Sequence, residues 1–199
     1  MKKTALIVLA AIAVVVIGIY STFKGSYNRM VALDEGVSAQ WAQVQNQYQR
    51  RMDLIPNLVN TVKGYASHES SVLTDVAEAR SRAGGIVQID GSLLDDEAAF
   101  KRYQQAQDSL SASLQRLLAV TEKYPELQAN QNFLALQDQL EGTENRIATE
   151  RRRFNELARD YNTYIRQFPR ALIANMSGFR AKAYFEAAQS AQSAPVVQF

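Results

Sequence analysis

His68 beside Glu69, with Ser67, Ser70 and Ser71 around them, is the one group in this sequence whose residue types could make a catalytic set. An imidazole next to a carboxylate can act as a general base or ligate a metal, and a nearby serine can serve as a nucleophile. The spacing supports neither use. A metal site needs three or four converging ligands, and His68 is the only histidine in a chain without cysteine. No nucleophile turn or oxyanion-hole motif accompanies the serines. The group reads as a capped or solvated stretch of helix. Absence of Cys also excludes disulfides, thiol nucleophiles, Cys-ligated zinc, iron–sulfur clusters and Cys-anchored lipid. The expectation is a protein that is not an enzyme and uses no cofactor and no metal.

Charges at positions that should be apolar are the second anomaly. Arg51 and Glu69 fall on the seam of a first long helix, and Glu144, Glu150 and Arg151 on that of a third. Buried charges lose solvation and persist only when paired. These residues make either a ligand or partner site between helices or an ion-paired layer that fixes helix register. Arg51 with Glu144 or Glu150 is the expected pairing. A third feature is a basic run: between Arg146 and Lys182, nine Arg/Lys stand against Glu150, Glu156 and Asp160, a local balance of +6. Arg152, Arg153, Arg159, Arg166 and Arg170 are its candidate partner surface. The run has no recognised nucleic-acid-binding motif, and a body outside the cell speaks against that partner; it is either a contact for a neighbouring subunit, a partner or another membrane surface, or a solvated face neutralised by the acidic helices beside it.

The elements that must carry these groups are helices. In 199 residues, 4 Pro and 9 Gly are too few turn formers for the many short strands of a sandwich or barrel. Thr4 to Phe23 carries no charge, and at about 1.5 Å per residue it reaches about 30 Å, the thickness of a bilayer core. The run ends in Gly18-Ile19-Tyr20 without a small-x-small cleavage site, so it reads as an uncleaved signal anchor. Lys2 and Lys3 on one side are matched by Lys24 and Arg29 on the other, and the α-amino group tips the N-terminus toward the cytoplasm, so the body is expected in the periplasm or at the cell exterior.

Beyond the anchor, steps of four and three link Val37, Trp41, Val44, Tyr48, Arg51, Ile55, Leu58, Val62, Tyr65, Glu69, Val72, Val76 and Ala79. That is one helical face held for six heptads, a rod of about 66 Å from Val37 to Arg80. Pro56 predicts a kink or a restart near Asp53. Gly84-Gly85 ends the rod, 86–92 is the hairpin-tip loop, and a second helix starts at Leu94 or Asp95 and stops before Tyr124-Pro125. Phe133, Leu140, Ile147, Phe154, Tyr161 and Phe168 recur at sevens on the third helix. A shorter fourth helix runs from about Ala171 to Ala188. Such heptads on consecutive helices predict antiparallel packing with short connections. The fold class is all-α: a transmembrane helix (1–23), an elongated antiparallel bundle of three long helices plus a shorter C-terminal one (24–189), and a tail (190–199). Three alternating rods put Arg166 and Arg170 far from the anchoring bilayer.

Many separate strings in this order resemble the LemA family. They include Arg50-Arg51-Met52-Asp53-Leu54-Ile55-Pro56-Asn57-Leu58-Val59, Thr61-Val62-Lys63-Gly64-Tyr65-Ala66 with His68-Glu69, and Tyr124-Pro125-Glu126-Leu127. Gly142-Thr143-Glu144-Asn145-Arg146-Ile147, Tyr161-Asn162, Phe168-Pro169 and Gly178-Phe179 with Tyr184-Phe185 belong to the same set, and the resemblance runs from about Tyr27 to Phe185. It implies a bacterial envelope protein with one N-terminal transmembrane helix, a helical body and no established catalytic activity. Members encoded near membrane metalloproteases suggest an assembly or adaptor part. Some relatives are lipoproteins; without Cys, this chain must be held by its apolar helix. The expected function is a non-catalytic, membrane-anchored scaffold that forms a homo-oligomer and organises or remodels the envelope. The alternative is an adaptor for a membrane protease or other envelope partner. The expected place is the inner (cytoplasmic) membrane, single-pass.

Overall fold

The computed structural model describes residues 2–66, 68–85 and 91–186; the expected tail, 190–199, lies outside them. The described residues are almost all helical and contain no strand. The first helix, α1 (Lys2–Tyr65), has 64 residues, about 96 Å at the rise of an α-helix. Its N-terminal part is long and apolar enough to cross a membrane, and each described side chain from Lys3 to Gly25 is exposed. Beyond that stretch the seam turns inward: Met30, Val37, Trp41, Val44, Tyr48, Ile55, Leu58 and Val62 are buried.

Pro56 does not restart α1, which runs on through it. A proline removes the bond to the carbonyl one turn back, here that of Met52. Arg80 replaces it, donating its Nε–H to Met52 O at 3.3 Å.

The expected rod from Val37 to Arg80 is instead two helices. The chain reverses between Tyr65 and Ser70, and α2 (Ser70–Gly85) folds back along α1, bringing Arg80 to Met52. The first reversal is therefore one helix earlier than the 86–92 loop, of which 86–90 lie outside the described residues. After a 3₁₀ turn, Gly91–Asp95, α3 (Glu97–Thr121) starts two residues later than Asp95. Its cap is Asp96, whose carboxylate accepts from Ala99 N at 2.9 Å. α3 runs alongside α1 in the same direction, with Tyr103 against Trp41 and Ser111 against Arg51.

A single turn, α4 (Pro125–Gln128), uses Pro125 at its start, where the missing N–H is harmless. α5 (Gln131–Arg166) is capped by Asn130, whose Oδ1 accepts from Asn132 N and Phe133 N. It returns antiparallel to α1 and buries Phe133, Leu140, Ile147, Phe154 and Tyr161, the residues at sevens. Phe168 breaks the series. Gln167 is already extended, so Phe168 is swung off the seam and is 84% exposed.

The fourth helix is shorter than expected. α6 (Arg170–Ser177) ends at Gly178, whose φ of +77° is the left-handed cap that glycine adopts most easily. Residues 179–186 are not helical, and 187–188 lie outside the described residues. This segment climbs back along α1: Phe179 meets Tyr27, Lys182 meets Asp34 and Phe185 meets Trp41.

Candidate functional site

The core divides into two apolar clusters. One joins Met30 through Tyr48 to Phe100, Tyr103, Ile147 and Phe154; the other joins Ile55, Leu58 and Val62 to Leu110, Leu117, Phe133 and Leu140. Between them, at one level of three helices, lie Arg51, Gln107 and Glu144. Arg51 has no exposed surface. Its Nη1–H groups donate to Ser111 Oγ at 2.7 Å and Glu144 Oε1 at 2.8 Å, and Nη2 donates to Gln107 Oε1. The Tyr48 ring lies 5.2 Å from the guanidinium carbon. A planar fork of donors suits this site, whose acceptors come from two different helices.

The other seam charges are placed separately. Arg151 donates Nε–H to the Tyr48 hydroxyl at 2.6 Å and both Nη groups to Asp108 Oδ1 at 3.0 Å. Burial pulls down the Arg151 pKa, but Tyr48 and Asp108 outweigh it and hold the guanidinium above its ordinary value. Burial raises the Tyr48 hydroxyl. Glu150 does not reach Arg51: it accepts from Gln40 Nε2 at 2.6 Å and Arg153 Nη1 at 3.0 Å. Glu69 lies in the turn after α1, accepting from the Tyr124 hydroxyl at 3.4 Å, and His68 beside it is exposed.

On the side of the polar layer nearer the apolar stretch of α1 is an aromatic box. Trp41, Phe100, Phe154 and Phe185 have ring centroids 4.8–6.1 Å apart, and Phe185 is contributed by the non-helical segment. That segment is held by three carboxamides, each binding one residue's N–H and C=O at once. Asn162 takes Lys182 at 2.8 Å on both bonds, Asn155 takes Phe185 at 2.9 Å on both, and Gln104 takes Glu186 at 2.7 and 3.0 Å. A carboxamide pairs with an extended backbone as a neighbouring strand would. The Lys182 ammonium bridges Asp34 and Asp95, each at 2.8 Å. Burial disfavours that charge, yet the two carboxylates hold the Lys182 pKa above its usual range.

Sequence reasoning missed this strap. Asn155, Asn162 and Gln104 are neutral residues on helices, and Lys182 counts only as one more basic residue. The string Tyr161-Asn162 is their one visible trace.

The basic run does not form a single surface. Arg152 and Arg159 line an open depression beside Tyr184, and Arg153 is tied to Glu150. Arg159 also pairs with Asp160 at 3.2 Å. Arg166 and Arg170 sit at the far end of α5 and the start of α6. Because α5 runs back toward the base of α1, these two lie at the end of the body next to the apolar stretch of α1, opposite to the expectation. Arg170 lies 4.2 Å over the Tyr164 ring.

The sequence is similar to known proteins over most of its length. The chain is 29% identical over 201 residues to the magnetosome proteins MamQ 1 and MamQ 2 of Paramagnetospirillum magneticum, covering 92% of this chain and 72% of each relative. It is 28% identical over 198 residues to the magnetosome protein MamQ of Magnetospirillum gryphiswaldense, covering 90% and 71%. The LemA family model matches residues 40–199, which takes in the polar layer, the aromatic box and the carboxamide-held strap. The chain belongs to the LemA family.

Proposed function

We propose that this protein is a non-catalytic, membrane-anchored scaffold that self-associates and organises or remodels the bacterial envelope, with its body on the periplasmic side of the inner membrane. One observation carries the reading: α1 passes from its exposed apolar stretch into the bundle core as one unbroken helix. A continuous helix transmits orientation where a flexible linker would lose it. The body is thereby held upright at a fixed rotation about the anchor, as a repeating assembly requires.

Support for self-association lies on the flank of α1, where Gln43 and Gln49 are exposed neutral polar residues beside a heptad seam. The MamQ relatives, named as magnetosome proteins, support a role within a cell structure. The test is the mass of the full-length protein in detergent and in nanodiscs, by light scattering with negative-stain imaging. A discrete high-order particle is expected. A monomer or dimer that co-purifies in fixed ratio with another envelope protein would replace this reading with that of an adaptor, such as one for a membrane protease.

A further inference from the structure

Phe168, Leu172 and Met176 are 84%, 59% and 81% exposed, and they follow one another at steps of four. Leu172 and Met176 lie on one face of α6, while Ile173 and Ala174 are buried on the other. α6 is thus an amphipathic helix docked by one apolar face, with a second apolar face uncovered. Large apolar side chains gathered at this exposure mark a contact surface.

The position of α6 identifies what covers it. The apolar stretch of α1 ends at Phe23, and Tyr27 lies one turn, about 6 Å, beyond. The Tyr27 ring is 5.6 Å from that of Phe179, two residues past the end of α6. From there the strap climbs away from the anchor, to Lys182 at Asp34 and Phe185 at Trp41. α5 descends toward the same level. Asn162 binds the Lys182 backbone near Asp34, Arg166 lies about 6 Å lower, and the turn at Phe168 is lower still. The layer between bilayer core and bulk water is about 5–7 Å on each side. With α1 spanning the core, the turn and α6 stand within or against that layer.

On the apolar-stretch side of Asp34 and the exposed Glu35, the charged side chains are basic. Lys24, Arg29, Arg166 and Arg180 are exposed there, and Arg170 is half-buried against Tyr164. Asp34 is committed to Lys182. Basic residues flanking an apolar helical face are the pattern of a helix lying in a membrane interface, with cations at the phosphates.

We propose that Phe168, Leu172 and Met176 form a second membrane contact, dipping into the headgroup layer of the bilayer that α1 crosses, with the neighbouring Arg and Lys side chains on anionic lipid phosphates. This rests on the anchored reading above. Two contacts, one spanning and one interfacial, fix the tilt of the body and make its insertion sensitive to anionic lipid content and packing.

Because the chain lacks Cys, Met176→Cys, Ile12→Cys and Lys123→Cys each supply a single site for an environment-sensitive fluorophore. Labelled full-length protein is placed in phosphatidylcholine–phosphatidylglycerol nanodiscs with and without doxyl-labelled lipid. The expected result is that doxyl lipid quenches the labels at 12 and 176, the latter by about twofold, and leaves the distal label at 123 unchanged. Replacing phosphatidylglycerol with phosphatidylcholine should weaken quenching at 176 while leaving 12 unaffected. Quenching at 12 with a label at 176 open to aqueous iodide would overturn the second contact and keep the anchor. Protection at 176 from both iodide and doxyl lipid would assign the face to a second copy instead and equally overturn the proposal. Loss of quenching at 12 would overturn the anchor itself, and the second contact with it.

Discussion

Arg80, on α2, donates its Nε–H to the carbonyl oxygen of Met52 on α1, the acceptor that Pro56 leaves without its helical partner. A defect in one helix is thus satisfied by the helix folded back against it. This contact also holds the reversal that sequence periodicity conceals.

Pro56→Ala restores the N–H that Met52 O lacks, so it should stabilise the bundle by about 1–3 kcal/mol, the scale of an interior proline. Arg80→Ala should cost about 1 kcal/mol in the natural sequence and much less in the Pro56→Ala background. A double-mutant cycle by urea denaturation measures the coupling. Additive effects would show that Arg80 does not serve this carbonyl.

Glu144→Ala removes the carboxylate from a guanidinium with no exposed surface. Loss of one partner from a buried pair costs about 3–5 kcal/mol, and because the Glu144 side chain is 36% exposed, the expected loss is nearer 2 kcal/mol. Arg51→Met with Glu144→Leu should regain most of that stability while relaxing helix register, seen as broadened amide spectra or a changed oligomeric mass. If Arg51→Met alone left fold and oligomeric state untouched, the layer would have no register role.

Asn155→Ala and Asn162→Ala each remove a two-bond clamp from the strap, and each should cost about 1–3 kcal/mol. Trypsin should then cut at Arg180 or Lys182 faster than in the unaltered protein. Phe185→Ala should also shift the emission of Trp41, the only tryptophan, to longer wavelength as its box opens. Unchanged cleavage would mean the carboxamides do not hold the segment.

Alkaline pH should loosen the half of the body nearer the apolar stretch of α1. Burial raises the pKa values of Tyr48 and Tyr103 above their ordinary 10.0, and for Lys182 the pairing with Asp34 and Asp95 overcomes burial and raises it above 10.5. Each group holds its proton in the folded state to higher pH than in the unfolded chain. Stability is therefore fully present below the unfolded values and falls as pH rises past about 10. Urea midpoints should be level from about pH 7 to about 9.5 and decline beyond, less steeply in Lys182→Met. A midpoint rising above pH 10 would contradict the assignment.

The helical class, the apolar stretch at the N-terminus and the buried series Phe133, Leu140, Ile147, Phe154 and Tyr161 were legible in residue order alone, because burial on a helix writes a local period. Arg51 and Glu144 were legible for the same reason: a charge in an apolar seam is conspicuous. Where the chain turns was not. The steps of four and three run unbroken through 66–69, since α1 and α2 bury their stripes in the same phase, and a straight rod and a hairpin then carry one pattern. Phe168 fits the sevens and yet faces outward, because the extended backbone at Gln167 takes it off the helix. Tertiary structure alone decided that Asn155, Asn162 and Gln104 bind a strap, that Lys182 lies between Asp34 and Asp95, and that Arg166 and Arg170 stand beside the base of the apolar stretch of α1. Each of these depends on groups far apart in the chain, whose meeting is set by the direction of α5 and the stop at Gly178, and helical periodicity carries no record of either.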